Sequence, residues 1–96
     1  AVGPTIGVAQ FNVASALADP LLTVFGPSSS TRVAASNDNW NAADAATFAS
    51  VGAFALTPGS RDAAVVTTLA PGNYTAQVTG AGGTSGNAIV EVYEVP

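Results

Sequence analysis

Six carboxylates and two arginines, with no histidine, cysteine or lysine, are the ionisable side chains this 96-residue chain offers for acid–base or nucleophilic chemistry, alongside two tyrosines. The common general bases, thiolate nucleophiles and Schiff-base amines are therefore missing, and no serine has an evident activator. Two carboxylates could still serve a glycosidase, and Asp62 with Glu91 is the pair to consider. Nothing in the sequence around either residue marks a raised pKa, and so small a domain rarely forms a deep cleft. Both are expected to be solvated surface acids, and the chain is expected not to be an enzyme.

Asn37, Asp38 and Asn39, with Asp44 nearby, supply oxygen ligands of the hard type that calcium takes. They lack the spacing and number of carboxylates of a tight calcium loop, so a turn and a helix cap compete with the metal reading. No other cofactor is expected. The run Gly80-Ala81-Gly82-Gly83-Thr84-Ser85-Gly86 superficially follows a dinucleotide fingerprint. Ser85 stands at the third glycine position and a strand follows instead of a helix, so a hairpin loop is expected. Asn73-Tyr74-Thr75 fits the N-glycosylation acceptor pattern. Trp40 and Tyr93 are the aromatics that could stack on a polysaccharide, although core or sheet packing is their commoner use.

The elements that must position these residues follow from turn signals and periodicity. Residues 21–25, bounded by Asp19-Pro20 and Gly26-Pro27, predict a strand, and residues 32–36 pair back with it as a hairpin. From Asn41 to Val51 the alanines predict one short helix, with Asn41 as N-cap and Gly52 as stop. Residues 64–69, 74–79 and 88–95 read as further strands. In the second of these Tyr74, Ala76 and Val78 alternate with polar residues, which gives one buried and one wet face. The expected fold is all-β: a single antiparallel β-sandwich domain over residues 1–96, jelly-roll-like, with one helix at about 41–51.

Composition excludes several partners. A net charge of −4 with only Arg32 and Arg61 as cations cannot neutralise a row of phosphates, so neither nucleic acid nor an anionic membrane is expected as a partner. No apolar run approaches the roughly 18 residues of a membrane span. Charged residues make up 8% of the chain, and a surface of Ser, Thr, Asn, Gly and Ala repels its neighbours weakly and favours association. The absence of cysteine removes any disulfide framework and leaves the redox compartment open. Because there is no methionine, Ala1 is not the encoded start, and a signal peptide, a larger precursor or further upstream chain is expected.

Several motifs recur in fixed order: Ala1-Val2-Gly3-Pro4-Thr5, Ala16-Leu17-Ala18-Asp19-Pro20, residues 35–40, residues 59–64, residues 69–75 and Val90-Glu91-Val92-Tyr93. Together they resemble a C-terminal module of large secreted bacterial proteins, and the chain is similar to the bacterial pre-peptidase C-terminal (PPC-like) domains. The resemblance implies a β-sandwich on a secreted or cell-surface protein, with adhesion, substrate binding or export as its work. In such modules further strands precede the Ala-Val-Gly-Pro motif. A chain that began at this motif would lack an upstream strand and expose an edge at Ala1, Val2, Ile6 and Val8, open to a neighbour's strand. The expected function is thus a non-catalytic extracellular structural or adhesive module that self-associates, as a homo-oligomer, filament or surface-assembly subunit. The alternative is a carbohydrate- or polymer-binding accessory module.

Overall fold

A computed structural model describes residues 1–7, 14–28, 31–53 and 55–95. Strand β1, Pro20–Phe25, carries the longest apolar run among the strands, with Leu21, Leu22, Val24 and Phe25, and such residues favour a pleated, half-buried surface. Strand β2, Val33–Asn37, pairs antiparallel with it, placing Asn37 opposite Leu22 and Ala35 opposite Val24, and the register shifts between Val24 and Phe25. Strand β3, Thr75–Gly80, pairs antiparallel on the other side, with Val78 opposite Leu22 and Ala76 opposite Val24. The order β2-β1-β3 puts the most apolar strand in the centre and the two more polar ones at the edges. The period of two then gathers Leu22, Val24, Ala35, Asn37, Ala76 and Val78 on one face and Leu21, Thr23, Phe25, Ser36, Thr75, Gln77 and Thr79 on the other.

The helix lies where the alanines predict it. A 3₁₀ turn, Ala42–Asp44, leads into α1, Ala45–Ser50. Asn41 caps the turn, its Oδ1 accepting the N–H of Ala43 at 2.9 Å, and Gly52 follows the helix at φ 71°. The Trp40 and Phe48 rings lie 5.9 Å apart, which fastens α1 to the chain entering it.

The chain is a mostly-sheet fold with one three-stranded antiparallel sheet and one short helix. Among the described residues, 64–69 enter no ladder, and 88–95 make only an antiparallel bridge between Ile89 and Val2. A strand sequence becomes a strand only where a neighbour takes its N–H and C=O groups, and among the described residues 65–69 and 90–95 have no such backbone neighbour. Buried apolar residues are correspondingly few: Val2, Ile6, Leu17, Leu22 and Ala63. The molecule measures 39 × 32 × 17 Å, and its radius of gyration of 13.3 Å exceeds the roughly 12.5 Å of a compact chain of this length. It is a flattened body with one sheet face incompletely covered.

Candidate functional site

Asp62 is completely buried, and it organises one end of the site. Its Oδ1 accepts the N–H groups of Gly3 at 2.8 Å and Thr5 at 3.2 Å. Its Oδ2 accepts the hydroxyls of Thr5 and Ser60. Ser60 Oγ also accepts the Trp40 indole N–H at 3.2 Å, and the Trp40 backbone N–H donates to the Asp62 carbonyl at 2.9 Å. A carboxylate is tolerated in such a place because charge-assisted bonds satisfy both of its oxygens. Gly3 is required for the approach: a Cβ there would lie 2.1 Å from the Leu17 carbonyl oxygen. The expectation that Asp62 is a solvated surface acid is therefore corrected, whereas Glu91 is exposed. A carboxylate locked by four donors is a clamp between the 3₁₀ turn Pro4–Gly7 and residues 60–63.

This clamp sets the roots of two segments. Ala1 exchanges backbone hydrogen bonds with Ala63, at 2.6 and 3.0 Å. Val2 does the same with Ile89, at 2.8 and 2.9 Å. Ala64 N–H is taken by Asn37 Oδ1 at 3.0 Å. Beyond these roots, no backbone N–H or C=O of residues 65–69 or 90–95 has a partner among the described residues. Both segments line one groove of about 1060 Å³, whose floor includes Leu22, Val24 and Ala76 of the sheet. That volume is above the range of about 300–1,000 Å³ typical of small-molecule clefts. Val66, Leu69, Val90 and Val95 are 40–48% exposed along it, and Val92 is 85% exposed. Glu91 and Glu94 are its charged lining residues. The Tyr93 hydroxyl is pushed above its usual range by loss of water, by hydrogen bonding to Glu91 and by the Glu91 charge.

Of the residues singled out for metal binding, Asn37 and Asp38 interact with neighbouring groups. Asn37 Oδ1 accepts the Ala64 N–H at 3.0 Å, and Asn37 Nδ2 donates to the Asn39 carbonyl at 3.0 Å. Asp44 ends the 3₁₀ turn before α1. Asp38 lies beside Asp19: loss of water, hydrogen bonding to Asp19 and the Asp19 charge push its carboxyl above the usual 3.8, while Arg61 opposes the shift. Arg61 Nη1 stands 3.9 Å from Asp19 Oδ2. Among the described residues no group of three or more His, Cys, Asp or Glu side chains is placed to hold an ion.

At the expected self-assembly edge, Val2 and Ile6 are buried, Ala1 and Val2 are paired as above, and Val8 lies outside the described residues. Trp40 is half-buried in the Asp62 network, whereas Tyr93 is 42% exposed on the groove. Asn73 sits in the exposed turn before β3. The glycine-rich loop forms a 3₁₀ turn, Ala81–Gly83, with Gly82 at φ 63° and Gly83 at φ 77°.

Sequence reasoning missed two features, the Asp62 clamp and the open backbone of residues 65–69 and 90–95. A signal for the first was present: Asp62 directly abuts the apolar run 63–66, an unusual neighbourhood for a solvated acid. The second had none, because a strand pattern does not say whether its partner exists. No protein-family model, no curated protein and no solved structure matches this chain.

Proposed function

We propose that this chain is a non-catalytic structural or adhesive module of the bacterial cell exterior that self-associates, with strands shared between copies completing a β-sandwich. The observation that carries this reading is the amount of unsatisfied surface. A folded monomer of 9.4 kDa exposes about 5,000 Å², whereas this chain exposes 5798 Å². The surplus of about 800 Å² equals the share one partner buries in a standard interface. Much of the exposed apolar surface belongs to residues 66–69 and 90–95, whose backbone groups have no partner among the described residues. Strand addition satisfies both at once. Location outside the cell rests on the resemblance to PPC-like domains.

Sedimentation and electron microscopy at micromolar concentration test the proposal. Oligomers or filaments are expected, and a monodisperse monomer overturns it. Carbohydrate binding remains the second reading because Tyr93 presents a ring on the groove, although Trp40 is already engaged by Phe48 and Ser60. A glycan array without binding at high protein concentration removes that reading.

A further inference from the structure

Ala1 and Val2 reveal what the groove lacks. Ala1 faces Ala63 with a reciprocal pair of hydrogen bonds, and Val2 faces Ile89 with another. Two successive residues bonded to opposite sides, each in the antiparallel sense, are the pattern of a central strand. Residues 64–69 and 90–95 continue from Ala63 and Ile89, and both line the groove. The register begun at Ala1 and Val2 directs the backbone groups of residues 65, 67 and 69 from one side, and of 91, 93 and 95 from the other, toward a single position. One extended strand in line with Ala1 and antiparallel to both segments would pair with all of them. A rounded ligand or a helix would leave those groups unsatisfied.

We propose that the groove binds one extended β-strand of about six residues, supplied by a polypeptide segment outside residues 1–96 and running with its C-terminal end toward Ala1. Its alternate side chains lie on the floor of Leu22, Val24 and Ala76 and are apolar. Because Glu91 and Glu94 are the charged side chains that line the groove among the described residues, the bound strand is free of acidic residues and is favoured by lysine or arginine at its ends. The proposal rests on the self-association reading only where the segment comes from a second copy; the chemistry of the strand follows from the groove.

The probe is a synthetic hexapeptide alternating valine and threonine with a lysine at each end, added to the whole chain. Saturable binding is expected by calorimetry, with new amide-exchange protection at residues 65–69 and 90–95. Methylating alternate backbone nitrogens of the peptide leaves its side chains intact and is expected to weaken binding at least tenfold. The double variant Glu91→Lys, Glu94→Lys, folded by circular dichroism, is expected to prefer a peptide with glutamate at its ends. Equal binding of the methylated peptide, or protection confined to the free edge of β3, overturns the proposal. So does absence of peptide binding together with a saturable response to a soluble β-glucan oligosaccharide. Sedimentation of the chain alone separates the two claims. Oligomers that form while the peptide fails to bind defeat this inference and leave self-association standing. A monomer that binds the peptide defeats self-association and leaves this inference standing.

Discussion

At the scale of the residue, Asp62 is the most consequential side chain described. Asp62→Ala would strand the N–H groups of Gly3 and Thr5 and two hydroxyls, and a loss of about 3 kcal/mol or more is expected. Chemical denaturation followed by Trp40 fluorescence measures it, because the indole N–H bonds Ser60 within the same network. Glu94→Gln, on an exposed residue, should stay within about 0.5 kcal/mol of the parent. Gly3→Ala forces a methyl against the Leu17 carbonyl and should cost about 1–3 kcal/mol in the same assay. Asp38 behaves in the opposite sense to an ion-paired acid. Its carboxyl is raised, so the fold favours its protonated form; that contribution is fully present below the ordinary value of 3.8 and is lost as pH rises through the shifted value. Carboxyl-carbon NMR should show Asp38 titrating above an unperturbed aspartate, and Asp19→Asn should bring it back down.

At the scale of the element, legibility tracked how local the determining contacts are. The hairpin of β1 and β2 and the helix with its Asn41 cap were readable because turn residues and caps act over a few positions. Asn41→Ala should remove the bond to Ala43 and cost about 1 kcal/mol, with loss of the near-ultraviolet dichroism of the Trp40–Phe48 pair as the check. β3 was readable as a strand, yet Ala76, expected to be covered, is exposed. Alternation records which face seeks a cover; it says nothing about whether the cover is in the same chain. Residues 64–69 and 88–95 carry β-branched patterns as good as those of β1 but have no strand between them among the described residues. The Asp62 clamp was illegible for a related reason: three of its four donors come from residues 57 to 59 positions away, a separation no local window spans.

At the scale of the whole molecule, a flattened body with surplus apolar surface and few charges should associate through contacts that salt hardly screens. Raising sodium chloride is expected to leave the sedimenting mass unchanged, and sulfate, which strengthens apolar burial, to raise it. A mass that falls as sodium chloride rises would point to ion pairs as the glue instead. The pairing of Ala1 with Ala63 and of Val2 with Ile89 carries one more consequence. Both flanking segments run in the same sense, so a strand seated between them in the antiparallel mode has a single allowed direction. Were copies joined this way, each supplying the strand for the next, they would form a vectorial, head-to-tail array with unlike ends wherever it does not close into a ring. Growth could then be halted from one end only, and a groove-filling peptide present in small amount would act as a chain terminator, setting the length of the array without altering the bonds inside it.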